Sequence, residues 1–193
     1  MSSISAAAKN ALLAGLVPNS ASLHTAFPGT TGAGECTGGG YARQVIAVGP
    51  PSGGVVLQTG SAVFTVSAQT VRWVGYSQGS TWLFAAPAGG ATPKNFTVLA
   101  ADDTVCSPMH GWNDGQKVVI FNGTAPAGTT EGQVLFVRDS LANTFKLAAT
   151  LGGVAIDMTT APSWGAVIAA ITEFVYPASG TFTLSNFSIV IPD

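Results

Sequence analysis

Charge is what this sequence most lacks. Among 193 residues there are 7 Lys+Arg and 9 Asp+Glu, 8% in all, against about 25% in an ordinary soluble domain. Seven scattered cations cannot replace counterions along a phosphate backbone, so no nucleic-acid partner is expected. An acidic tail and a polybasic membrane patch are equally missing. So is any apolar block of roughly 18 residues: the longest uncharged run, Gln44 to Val71, is broken by Pro50 and Pro51, and no membrane span is expected. Lys9, Ala11–Val17 and Ser20-Ala21-Ser22 mimic a short signal peptide, but no cation precedes Lys9, so no targeting segment is expected.

Cysteine and histidine are scarce too, with two of each. Cys36 and Cys106 stand 70 positions apart, which excludes metal-knuckle spacing. They are read as unpaired thiols. The alternative, a disulfide, would stabilise by about 4 kcal/mol on loop-closure entropy.

What the chain has instead is 24 Gly, 37 Ser and Thr, and a hydrophobic fraction of 47%, with mean hydropathy +0.40. Disorder requires low hydrophobicity and high charge, so the chain is expected to fold. Its surface must be neutral and polar, with apolar parts covered by neighbours.

One segment reads as helix. Ser3 or Ser5 caps it, Ile4, Ala8, Ala11 and Leu12 recur at helical spacing, and Gly15 and Pro18 end it. From Pro18 to Gly40 the chain reads as a Gly/Thr/Pro loop. β-type runs then follow, bounded by Gly, Pro, Ser or Asn: 41–48, 54–59, 62–66, 71–76, 81–85, 95–100, 117–121, 133–138, 144–148, 154–158, 166–175 and 180–191. Turns at about 8–12-residue spacing predict an all-β fold, a β-sandwich with a short N-terminal helix. No acid lies between Glu35 and Asp102, whereas six of the nine fall between Asp102 and Asp157. That shift divides the chain into residues 1–98, completed by 166–193, and a small β-subdomain inserted at 99–165. A sequential two-domain layout is the alternative.

Candidate chemistry is thin. His24 or His110 could serve as a base, yet no Gly-x-Ser-x-Gly elbow or His-Glu-x-x-His helix accompanies them. His110 and Asp114 read as turn residues bonded to local backbone. Asp102-Asp103 would need a turn to converge, because adjacent strand residues face opposite ways. Gly38-Gly39-Gly40 leads into Tyr41-Ala42-Arg43 rather than Gly-Lys-Ser/Thr, so no phosphate cradle is expected. Asn95, Asn122 and Asn186 open Asn-x-Ser/Thr triplets that matter only in a eukaryotic secretory context. Trp73, Trp82, Trp112 and Trp164 are available as glycan platforms, or as core. Glu35 and Arg43, the only charges between Lys9 and Arg72, are expected to clamp the Gly-rich loop onto the first strand or to pair with a neighbouring subunit. No metal or cofactor is expected.

At this loop the residues become familiar. Ser22-Leu23-His24-Thr25, Pro28-Gly29-Thr30-Thr31-Gly32-Ala33, Glu35 and Gly38-Gly39-Gly40-Tyr41-Ala42-Arg43-Gln44 resemble a family of small tailed-bacteriophage virion proteins, called tail-fibre, minor tail, head-decoration or head-fibre proteins. The leading helix, Ala6–Leu13, and the strand Val71–Tyr76 fit the same pattern. The insert, carried by His110–Phe121, Gly128–Gly132, Phe136–Asp139, Thr144–Thr150 and Gly152–Asp157, resembles a second recurring phage module. Phe27 stands where an acid is common and Trp112 where Leu is common, which would add aromatic surface to loops.

The resemblance implies a structural virion protein with no catalytic site. Its assembly loop would comprise His24, Phe27, Glu35, Tyr41 and Arg43, and its outward-facing insert would carry His110, Trp112 and Asp114. The implied partners are the major capsid protein or tail proteins. Further copies of the chain are expected as well, in a trimer, because small β-domains meeting at a symmetry axis would cover the apolar surface. Decoration of the capsid is favoured over a tail fibre, because no long repeat or heptad is visible. A wall-degrading hydrolase is the third class.

Overall fold

The computed structural model describes residues 4–191. One helix, α1 (Ala6–Ala14), is followed by β1 (Ser20–His24), β2 (Gln44–Val45), β3 (Val55–Leu57), β4 (Ala62–Val66), β5 (Gln69–Val71), β6 (Trp73–Gln78) and β7 (Thr81–Pro87). Then come β8 (Lys94–Asn95), β9 (Thr97–Leu99), β10 (Thr104–Cys106), β11 (Lys117–Phe121), β12 (Leu135–Arg138), β13 (Thr144–Ala148) and β14 (Val167–Ala170). The chain ends with β15 (Phe174–Tyr176), β16 (Gly180–Leu184) and β17 (Ser188–Val190). The protein is all-β apart from its short opening helix, and every pairing between these strands is antiparallel.

The chain divides into two compact units, residues 1–86 with 174–193, and residues 87–173. In the first unit, β2-β1-β6-β7 form a four-stranded sheet. The returning segment then zips along an earlier one in reverse order: β15 pairs with β5, β16 with β4 and β17 with β3. In β4, Ala62, Phe64 and Val66 are buried while Val63 and Thr65 are exposed, the two-residue period of a strand with one wet face. Phe64, Leu23, Val71, Ile46, Phe182 and Phe187 build the core.

Helix α1 docks on this unit by an unexpected face. Ser5 caps it, accepting the Ala8 N–H, but Ile4, Ala8, Ala11 and Leu12 are exposed and the buried side chains are Lys9 and Leu13. The reason is local. Gly54 leaves room for the aliphatic stem of Lys9, whose Cδ would lie 2.8 Å from any Cβ there, and the Gly54 N–H donates to Asn10 Oδ1 at 2.9 Å. A lysine stem is as good an apolar surface as a short aliphatic chain.

The second unit is one seven-stranded sheet in the order β8-β14-β11-β12-β13-β10-β9. Val105, Val118, Ile120, Leu135, Phe145, Leu147, Met158 and Ile168 form its core. Its limits lie outside those expected at 99 and 165. β14 pairs with both β11 and β8, which brings Lys94–Asn95 and Val167–Ala170 into this sheet and extends the unit to residues 87–173.

Other expectations fail for identifiable reasons. Residues 20–24, read as loop, form the central strand β1, and Thr104–Cys106 form β10, which was not anticipated. Residues 154–158, read as strand, carry no strand assignment, although the Ile156 N–H donates to the Leu147 carbonyl. The run 71–76 is interrupted at Arg72, whose N–H donates to the His24 carbonyl. Both cysteines are free thiols, and burial pushes the Cys36 thiol up to about 11.

Candidate functional site

The loop between β1 and β2 is held along its length by polar contacts. The Thr25 N–H donates to the Gly34 carbonyl and the Cys36 N–H to the Leu23 carbonyl, at 2.9 and 2.8 Å. On the far side, Ser67 Oγ donates to the Thr37 carbonyl at 2.9 Å. Gly39 permits that approach: it sits at φ +63°, and a Cβ there would lie 2.8 Å from the Ser67 Cβ.

His24 is fully buried. Its Nδ1 faces the Ala33 carbonyl at 2.8 Å, and a carbonyl only accepts, so Nδ1 carries the proton. Nε2, 2.8 Å from Ser22 Oγ, therefore accepts from the serine hydroxyl. Burial holds the His24 pKa below its ordinary value; the Ala33 carbonyl and the Glu35 charge oppose that shift, and Arg43 adds to it. A buried Ser–His pair resembles half a nucleophilic dyad, but Ser22 is 1% exposed and no substrate reaches it. The edge of Trp82, 5.4 Å away, closes one side.

Glu35 and Arg43 form a two-pronged pair, Nε to Oε1 at 2.9 Å and Nη2 to Oε2 at 2.7 Å. The Tyr41 hydroxyl donates to Glu35 Oε1 at 3.1 Å and accepts the Leu23 N–H at 2.8 Å. The Arg43 hydrogen bond leads in lowering the Glu35 pKa, while partial burial opposes it. Burial raises the Tyr41 pKa. Phe27 lies against Trp73 with ring centroids 4.9 Å apart. Thus His24, Phe27, Glu35 and Tyr41 make contacts inside the first unit, and Arg43 alone of the five is exposed. Phe27 is half-buried against Trp73, so only part of the aromatic surface expected there is presented.

In the second unit His110 is also buried. Nε2 lies 2.6 Å from the Leu141 carbonyl and Nδ1 accepts the Trp112 N–H at 3.1 Å. Trp112 packs edge-on to Phe145. Asp114 is exposed, and its Oδ1 accepts the Ser140 N–H at 2.8 Å. His110 and Asp114 thus serve backbone groups rather than each other, and neither His110 nor Trp112 offers the exposed surface expected of an outward-facing residue. Asp102 is exposed while Asp103 turns back, accepting the Met158 N–H at 2.9 Å, so the adjacent carboxylates do not converge. Among the described residues no group of three or more His, Cys, Asp or Glu side chains could hold a metal ion, and no helix is long and apolar enough to cross a membrane.

The four tryptophans separate sharply. Trp73 is buried, Trp82 and Trp112 are half-buried, and Trp164 is 101% exposed. Sequence reasoning grouped all four, because indole content alone does not tell a core ring from a presented one. The flanking Ser163 and Gly165, in a turn before β14, were the available signal. No protein-family model, curated protein or solved structure matches the chain.

Proposed function

We propose that the protein is a structural component of a tailed-bacteriophage particle, a head-fibre-like decoration or cement protein on the outer capsid surface, and not an enzyme. The observation that supports this reading best is the segregation of charge. Of the 16 charged residues, 11 lie in residues 87–173. The four within the described part of the first unit are all engaged. Lys9 is buried, Glu35 and Arg43 neutralise each other, and Arg72 Nη1 donates to the Thr25 carbonyl at 2.8 Å.

The first unit therefore exposes Val45, Leu57, Val63, Val175 and Val190 on a surface almost free of net charge. Packing many copies against a shell desolvates whatever covers the contact, and uncharged groups carry the least desolvation cost. In this reading the first unit contacts the major capsid protein and sister copies, with a trimer as the expected oligomer. The charged second unit keeps the particle soluble.

Copy number tests the proposal. Quantitative mass spectrometry of purified particles, referenced to the major shell protein, should count hundreds of copies. A handful would transfer the protein to the tail, as a fibre or minor tail component, and none would overturn a virion role.

A further inference from the structure

Among the described residues, Trp164 is the one large hydrophobic side chain that the fold leaves wholly in solvent, at 101% exposure. Single exposed aliphatic residues need no explanation, but a fully presented indole forgoes a large burial gain. It does not stand on a loose loop. The Ser163 N–H donates to the Thr124 carbonyl at 3.0 Å, and Ser163 Oγ accepts the Thr124 N–H at 2.8 Å. Beneath this turn, Gly123 lies so close that a Cβ would be 2.8 Å from Ser163 Oγ and 2.9 Å from the Ala166 nitrogen. The backbone carrying the indole is strapped on both sides.

Trp164 borders a groove of about 560 Å³, walled opposite by Asn95, Phe96 and Thr97. Phe96 also packs against the core of the second unit, so this wall is fixed. Strand pairing of Asn95 with Val167 ties the two walls together. Pro162 adds apolar surface, Asn95, Thr97 and Ser163 add neutral hydrogen-bonding groups, and no charged residue lines the groove. The adjacent Lys94 is directed elsewhere, its ammonium donating to the Met109 carbonyl at 3.1 Å.

We infer that the Trp164–Phe96 groove is a binding site for a neutral saccharide. A sugar ring presents one apolar C–H face and a rim of hydroxyls. The groove supplies the counterparts, an exposed flat ring beside an amide and two hydroxyls. Its volume lies in the range of small-ligand sites. The lack of a cation disfavours phosphates, sialosides and uronates, and the lack of an anion disfavours amines. The site does not rest on the assembly role, since its parts all lie in residues 95–167 and need no particle around them.

The test uses the full chain and a panel of neutral oligosaccharides built on glucose, galactose, mannose, rhamnose or N-acetylglucosamine, with sialylated and uronate-containing glycans as the charged arm. Saturation-transfer NMR should detect ring-face protons of at least one neutral member at roughly millimolar concentration. Trp164→Ala should weaken that binding by about tenfold or more, and Asn95→Ala by about threefold. Both side chains are exposed, so unchanged melting will verify that the fold survives. Failure of every neutral member to bind, preference for charged glycans, or binding indifferent to Trp164→Ala would each overturn the inference. Self-association abolished by Trp164→Ala, without saccharide binding, would overturn it too and assign the groove to a contact between copies.

Discussion

Gly75 shows how much of the first unit depends on single side chains fitting one another. It sits in β6 opposite Ser22 of β1, where glycine normally weakens a strand. A Cβ there would lie 2.4 Å from Trp82 Cη2 and 2.6 Å from His24 Nε2. Neither ring has room to retreat, because His24 is held at both nitrogens and Trp82 meets its face edge-on. Gly75→Ala should therefore cost about 2 kcal/mol, as overpacking of a filled core does, and detach the Ser22–His24 hydrogen bond. Gly60→Ala is the control, since nothing lies within 4 Å of its Cβ position and its φ is not positive. Urea unfolding should lower the midpoint for Gly75→Ala and leave Gly60→Ala within about 0.5 kcal/mol of the parent. Equal midpoints for the two variants would refute the close-packing argument.

Elements were legible in the sequence where an apolar run lay between turn signals. Ala62–Val66, Lys117–Phe121 and Thr144–Ala148 occupy the expected residues, because β-branched and aromatic residues there meet turn signals at both ends. β1 was hidden because three of its five residues, Ser20, Ser22 and His24, are polar and read as loop. Ser22 and His24 are nonetheless buried, satisfied by one another and by the loop. The Glu35–Arg43 pair was legible from charge scarcity alone; the joining of Tyr41 to it was not, as nothing in spacing links a hydroxyl to both a carboxylate and the Leu23 N–H. This latch makes the loop an element with its own stability. Arg43→Ala removes a partly exposed two-pronged pair worth about 1 kcal/mol, so broad-specificity proteolysis within residues 26–40 should quicken about fivefold. Acid should act on the same contacts. The folded His24 pKa is below its ordinary 6.5, so the unfolded chain binds the proton first and stability falls as pH drops below about 6.5. The Glu35 pKa is also lowered, and its contribution, present above about 4.5, is lost as pH falls further. Proteolysis at neutral pH that is identical in Arg43→Ala and the parent would show that the latch does not hold the loop, and a thermal midpoint flat between about pH 7 and 5 would refute the coupling of stability to His24 protonation.

At the scale of the whole molecule, the boundary between the units is chemical as much as geometric. Residues 87–173 hold 11 of the 16 charged side chains and close their own sheet and core. Their ends also meet. The Thr172 N–H donates to the Ala88 carbonyl at 2.9 Å, and Gly89, at φ +103°, lets Thr172 approach so closely that a Cβ would lie 2.4 Å from its hydroxyl. Near the same end, Lys117 pairs with Glu173. A segment whose termini are joined and which closes a core of its own has the anatomy of an independently folding domain. Residues 87–173 expressed alone should therefore melt in one cooperative transition and stay monomeric, their net charge of −3 opposing association. The assembly contacts proposed for the first unit would be missing, so this fragment should not associate with particles that capture the full chain. A fragment that binds particles as well as the intact protein would move those contacts onto the charged unit and remove the argument from charge segregation. A fragment that does not fold would instead mean that the seven-stranded sheet depends on residues outside 87–173, despite the closure of its ends.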